Sequence, residues 1–225
     1  MKLFLIAALA LTPIWAKSNE DARRLNTAAT VLTEVMDAPD KGIPQELLDH
    51  AHCIVIIPDL KTAAFVVGAK FGTGFMSCRN KSGAGWSAPA TMRVEGGSVG
   101  FQIGGSSTDV ILLVMNERGA EKLFEDKFTL GGEASVAAGP VGRTATAQTD
   151  AQMHADILSW SRSQGLFAGV ALEGATMRQD LDGNANIYGK RLRTREIVLT
   201  GRRVPAPAAK LISLLNRHSA SEEKH

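Results

Sequence analysis

Apolar residues recur at three- and four-residue spacing over 19–37, at Leu25, Ala29, Leu32 and Met36, which predicts an amphipathic helix. Ser18 stands at its N-cap position with Glu20 and Asp21 in the first turn, and Pro39 and Gly42 end it. Pro44 opens a short second helix over 45–50. The pattern then changes period. Ile54, Val55, Ile56 and Ile57 form a continuous apolar run, which reads as a buried strand closed by Pro58. Strand-like runs follow at 64–76, 86–94, 98–103 and 109–115, separated by glycine and Ser/Asn clusters at short spacing, which favours antiparallel connections. Residues 117–124 read as a helix, and 134–138, 143–148, 157–162 and 166–172 as further strands. Residues 206–217 read as a closing helix with Leu211, Leu214 and Leu215 on one side. The polar stretch 219–225 reads as a disordered tail.

Glycine punctuates the strand patterns at Gly68, Gly72 and Gly74, at Gly96, Gly97, Gly100, Gly104 and Gly105, and at Gly169 and Gly174. Interior glycine weakens a strand, so its repetition points to bends, bulges or close backbone packing. The expected fold class is α+β: a twisted, mostly antiparallel, Gly-rich sheet or small barrel with flanking N- and C-terminal helices.

The first residues stand apart. Lys2 precedes an unbroken apolar run over 3–11, Pro13 breaks it, and Ala16 offers a small residue for cleavage. That is the layout of a secretory signal peptide over 1–16; a retained N-terminal anchor is the alternative. The apolar run is shorter than the roughly 20 residues of a spanning helix. Residues 17–218 then suit a single domain. Removing 1–16 takes one lysine from 25 basic residues set against 23 acidic ones, leaving a net charge near +1. No whole-molecule field draws such a chain to nucleic acid or to a membrane, so an electrostatic partner has to be met by a local patch. Export would place Cys53 and Cys78 in an oxidising compartment. They stand there either as a disulfide or as two buried thiols; the sequence holds no CxxC and no zinc-type spacing.

Several short motifs carry chemistry only in the right context. Gly96-Gly97-Ser98-Val99-Gly100 matches the GxSxG pattern of a nucleophilic serine, which needs a strand before Ser98 and a helix after it. The residues after Ser98 alternate like a strand, and neither His154 nor His218 is marked as its base. Asp180, Asp182 and Gly183 resemble the start of a calcium loop, but Arg191 stands where the bidentate Glu belongs; a turn is the simpler reading. His50, His52 and Cys53 lack an identifiable further metal ligand. Gly68, Gly72 and Gly74 lack the Lys-Ser/Thr of a phosphate loop. Lys190, Arg191, Arg193 and Arg195, with Arg202 and Arg203, form the densest basic run, opposed only by Glu196. Strand alternation would put Arg191, Arg193 and Arg195 on one face, either a charged edge strand or a phosphate-binding face matched to guanidinium forks. Asp109 and Arg143 are charges in apolar, Gly-rich sequence. They read as structural, held by a salt bridge or by backbone hydrogen bonds, with each other as a candidate pair.

The order and spacing of several glycine-rich stretches are specific together. They are GAKFGTGF at 68–75 with Arg79 after it, WSAP at 86–89, GGSVGFQIGGSSTD at 96–109, LGGEASVAAGPVGR at 130–143, SWSRSQGLFAG at 159–169 and LEG at 172–174. Through them the chain, from about residue 24 to 201, resembles the SYLF domain family, also described as the Ysc84-type actin-binding domain. The signal-like N-terminus points to an exported bacterial member, periplasmic or extracellular. The resemblance implies lipid binding, mainly of phosphoinositides in eukaryotic members, and actin association in fungal ones. It implies no catalytic residue, no cofactor and no metal, and an N-terminal amphipathic segment that helps engage membrane. The expected function is therefore non-enzymatic binding of an anionic phospholipid with a phosphoinositide-like head group, at an envelope membrane. Lys190, Arg191, Arg193 and Arg195 are the first candidates for the head group, and Lys70, Arg79 and Lys81 beside the first glycine-rich stretch the next. A scaffold protein of the envelope is the alternative, and a serine hydrolase using Ser98 the third reading.

Overall fold

A computed structural model describes residues 14–38, 42–80, 82, 84–140, 154–163, 166–169, 172 and 174–219, without the side chains of 14–18, 64–67, 98–104, 163 and 166–169. The expected signal segment before residue 14, the strand expected at 143–148, Lys81, Arg143 and the tail from 220 lie outside the described residues. In chain order the elements are α1 (Ile14–Met36), α2 (Gln45–His50), β1 (Cys53–Cys78), β2 (Ala90–Val114), α3 (Glu117–Leu123), β3 (Lys127–Thr129), β4 (Val136–Ala138) and β5 (Ile157–Ser163). Then come β6 (Leu166–Gly169), β7 (Thr176–Gln179), α4 (Leu181–Tyr188), α5 (Thr194–Val198), a 3₁₀ turn (Ala206–Ala208) and α6 (Ala209–His218). The fold is α+β, a sheet curled into a half-barrel with helices from both ends of the chain packed on it. Among the described residues every strand pair is antiparallel except β4 with β5.

β1 and β2 dominate the sheet. The shorter runs expected from the sequence merge into two strands of 26 and 25 residues paired along their length. Pro58 does not close the first run. The pairing register shifts between Ile57 and Leu60, so Pro58 and Asp59 sit in a bulge where no ladder hydrogen bond is asked of proline. Asp59 takes φ 55° there, and its N–H donates to Asp109 Oδ1 at 3.0 Å. A second shift lies between Ala64 and Val66.

These bulges let β1 fold back on itself. A straight strand of 26 residues would span roughly 85 Å. Yet its first and last residues, Cys53 and Cys78, are joined by a disulfide with Cα atoms 3.9 Å apart, so the cysteines are a pair rather than free thiols. The two arms meet at glycines. A Cβ on Gly74 would lie 2.6 Å from Ile57 Cγ1 and 2.8 Å from the Ile56 carbonyl oxygen.

The continuous apolar run of β1 is explained by burial on both faces. Ile54 and Ile56, with Ile111 and Leu113 of β2, pack under α1, α2 and α6 through Leu25, Leu32, Leu48, Leu211 and Leu215. Cys53, Val55 and Ile57, with Val110, Leu112 and Val114, face the other core, made with Leu123, Phe128, Met177 and Ile197. Trp160 of β5 is fully buried, and its indole N–H donates to the Pro140 carbonyl at 2.9 Å.

Short polar residues set the helix starts. Asn116 Oδ1 accepts from Gly119 N–H at 2.8 Å and caps α3. Asp180 is not in a calcium loop or a simple turn; its Oδ1 accepts from Gly183 N–H at 3.0 Å and caps α4. Asp156 ties α3 to the sheet, accepting from Asn116 Nδ2 at 3.0 Å and from Ser135 N–H and Oγ–H at 2.8 Å each. Burial works against its charge, but these hydrogen bonds prevail and hold the carboxyl below its ordinary 3.8.

Two outcomes follow. Gly74→Ala should cost about 1–3 kcal/mol, because Ile57 and the Ile56 carbonyl have to give way; the midpoint of guanidinium unfolding reads it. Asp156 has a depressed folded-state pKa, so its stabilisation is present above pH 3.8 and is lost as pH falls through the folded value. Urea melts across that range should show a smaller pH dependence for Asp156→Asn than for wild type.

Candidate functional site

The fold-back leaves a groove of about 530 Å³ between α1 and the two arms of β1. Helical spacing puts Glu20, Arg23, Arg24 and Thr27 on one face of α1. β1 adds Pro58, Asp59 and Lys61 from its first arm and Phe71, Gly72 and Thr73 from its second, and β2 adds Arg93, Val94 and Glu95. The charges are mixed, so pairing decides what is left over. Arg24 pairs with Glu20 and lies 3.5 Å from Asp21. Arg93 lies 3.4 Å from Asp180, and Glu95 3.3 Å from Arg178. Asp59 accepts from Ser107 Oγ at 3.1 Å. Arg23 and Lys61 make no ion pair among the described residues. Beside them Phe71 is 51% exposed, the one large apolar side chain so placed among the described residues. Two cations and an exposed ring thus share one concave surface with one carboxylate, Asp59, that makes no ion pair among the described residues; the balance is positive, which suits a ligand with an anionic end and an apolar body.

The bend beside this groove is pinned by a charge network. Asp109 Oδ2 accepts from Arg162 Nε at 2.9 Å and from its terminal nitrogen at 2.5 Å. Arg162 also pairs with Glu34 of α1. Asp109 thus pairs with Arg162 of β5. Arg143, the candidate partner, lies outside the described residues.

The expected head-group residues are scattered. Lys70 lies on β1 opposite Gly96, next to Phe71, with no ion pair among the described residues. Arg79 is not a surface ligand. It is 7% exposed and donates to the carbonyls of Ala51 at 3.3 Å, Leu48 at 2.9 Å and Ser219 at 2.6 Å, under the Trp86 ring at 4.1 Å. It ties α2, the end of β1 and the end of α6 together. Lys81 lies outside the described residues.

The basic run is not a strand, so neither an edge strand nor one phosphate-binding strand face exists there. Residues 190–193 are irregular and α5 follows. Arg191 lies 3.1 Å from Asp182, Arg193 3.6 Å from Asp126, and Arg195 pairs with Glu121. Such exposed pairs add little stability, but they cancel most of the local charge. Lys190 is exposed. Arg202 and Arg203 line a second hollow of about 820 Å³ with Asn80, Ser82, Trp86 and Thr200.

Ser98 lies inside β2, paired with Gly68, and the strand runs on to Val114. The helix that a nucleophilic serine requires does not follow it. Among the described residues no three His, Cys, Asp or Glu side chains cluster as metal ligands, and no helix is long and apolar enough to cross a membrane. Arg23, Lys61, Phe71 and Arg93 escaped the sequence reading as one set because they come from three separate segments. The lysines at both ends of the uncharged stretch 62–69 were the available signal.

A family model described as "Ysc84: Las17-binding protein actin regulator" matches residues 95–218, more than half of the chain. The chain is similar to LAS seventeen-binding protein 3 of Saccharomyces cerevisiae, 37% identical over 173 residues, covering 75% of this chain and 37% of that protein. It is 34% identical over 190 residues to protein YSC84 of the same yeast, covering 83% and 40%. It is 30% identical over 214 residues to SH3 domain-containing YSC84-like protein 1 of Homo sapiens, covering 94% and 62%. The chain thus spans between 37% and 62% of the length of these relatives.

Asp109→Ala should lower the melting temperature, because it takes a carboxylate from the partly buried Arg162, which keeps Glu34, and leaves the Asp59 N–H without its acceptor; the cost is about 1–3 kcal/mol. Differential scanning calorimetry reads it, and an unchanged transition would show that the network does not hold the bend.

Proposed function

The chain belongs to the Ysc84 (SYLF) family, and from that footing we propose that it binds anionic phospholipid at a membrane surface without catalysing a reaction. The observation that carries this is the groove in which Arg23 and Lys61, unpaired among the described residues, flank the exposed Phe71. Phosphate oxygens of a head group take the cations, and the ring lies against the apolar part of the lipid. The site uses α1, the segment that the family resemblance ties to membrane engagement. Export to an envelope compartment is part of the proposal; the N-terminal layout and the Cys53–Cys78 disulfide support it.

A protein-binding scaffold is the second reading. Its support is the description of the family model and the name of the yeast relative, both of which refer to Las17 binding.

Near an anionic surface each basic side chain contributes about 1 kcal/mol. Arg23→Gln with Lys61→Gln should therefore weaken flotation on phosphatidylglycerol vesicles roughly thirtyfold, more so at low salt. The variant with Arg191, Arg193 and Arg195 all changed to Gln should lose much less, since those side chains already pair with carboxylates. Equal flotation of the double variant and wild type would remove the groove as the site. No flotation of wild type would favour the scaffold reading.

A further inference from the structure

We propose that the hollow between the chain after β1 and the chain after α5 is a second site, one that takes the phosphate monoester group of a ligand. It shares no lining residue with the groove against α1, and it does not depend on the lipid reading of that groove.

Charge sets this hollow apart. The groove sets four basic side chains, Arg23, Arg24, Lys61 and Arg93, against three carboxylates, Glu20, Asp59 and Glu95. The hollow, of about 820 Å³, is lined by Arg202 and Arg203 and, among the described residues, by no carboxylate. Both arginines are exposed, and neither makes an ion pair among the described residues. Arg191, Arg193 and Arg195 of the same basic run each lie against a carboxylate. Arg202 and Arg203 are therefore the part of that run left to meet an outside anion, and they meet it in a concave place.

The local backbone explains the convergence. α5 ends at Val198, and Gly201 follows at φ 63°, a left-handed turn that favours glycine. Consecutive side chains of an extended strand would point to opposite sides. Beyond this turn Arg202 and Arg203 line one hollow instead. The Thr200 hydroxyl, also in the lining, donates to the Glu196 carbonyl at 2.6 Å. It thus covers a carbonyl at the C-terminal end of α5, the end of a helix that disfavours anions. On the chain after β1, Ser82 Oγ accepts from the Ala84 N–H at 3.4 Å, so its own O–H remains to donate.

Two guanidinium forks and a hydroxyl match a phosphate monoester, which carries close to two negative charges at neutral pH and offers three terminal oxygens. A carboxylate would leave one guanidinium uncompensated. The large apolar side chain that stands exposed among the described residues, Phe71, lies in the other groove, so this hollow offers polar contacts and no exposed ring for an apolar body. The monoester can come from a soluble compound or from a lipid head group.

Isothermal titration of the full chain with glycerol 3-phosphate, in low-salt buffer free of phosphate, tests the site. Arg202→Gln with Arg203→Gln should weaken binding at least about tenfold. Arg191→Gln with Arg195→Gln removes the same charge from paired arginines and should leave binding unchanged. Circular dichroism should show both variants folded, since exposed charges contribute little to stability. Flotation on phosphatidic acid vesicles separates the two sources. Weaker flotation of the Arg202→Gln, Arg203→Gln variant than of wild type assigns the monoester to a lipid; equal flotation with weakened titration assigns it to a soluble compound. Glycerol 3-phosphate binding equal in wild type and that variant, or absent from both with flotation also equal, would overturn the site.

Discussion

Where Gly74 of β1 meets Ile57 of the same strand, one added methyl group would push the two arms apart. That contact turns a strand long enough to cross the molecule into a bent ribbon. The bend at Pro58 and Asp59 opens a concave surface against α1, and Lys61 and Phe71, distant along the strand, come to line the same groove. With a straight β1 these residues would be tens of ångströms apart, and the groove would not form.

Two charge sites, one buried and one partly buried, hold that bent shape from opposite ends. At the base, Arg79 spends its donors on carbonyls at the ends of α2 and α6, beside the Cys53–Cys78 disulfide. At the bend, Asp109 joins the bulged Asp59 N–H to Arg162, and Arg162 reaches α1 through Glu34. Buried charge is costly unless its partners are in place. Both sites therefore favour the one arrangement of strand and helix that satisfies them. This specificity complements the apolar cores, which bury both faces of the ribbon's base but would tolerate small slips of the helices over it.

Periodicity made the elements legible, and register made the architecture hard to read. The 45–50 helix, the helix over 117–124, the strand from 157 and the closing helix follow directly from apolar spacing and cap residues. The fold class followed from glycine-punctuated strand runs framed by helices. The length of β1 did not, because Pro58 reads locally as a stop, and only the partner strand shows that it sits in a bulge. The 190–203 run read as a strand because arginines alternate there. In the fold, Glu196 accepts from Arg193 N–H at 2.7 Å and starts α5 instead. Arg79 looked like a surface cation for the same reason: sequence records a charge but not the carbonyls that surround it.

That last point bears on how a nearly neutral protein meets a charged surface. Beyond about 10 Å, salt screens the net charge of the chain, so a membrane responds to the charges close to it. Arg191, Arg193 and Arg195 stand opposite Asp182, Asp126 and Glu121, and their fields largely cancel at that range. Arg23 and Lys61 are fewer, but they lack such partners among the described residues and line one groove. The densest basic stretch in the sequence and the groove cations without an acidic partner among the described residues are thus different places. What separates them is the position of acidic side chains that only the fold brings near.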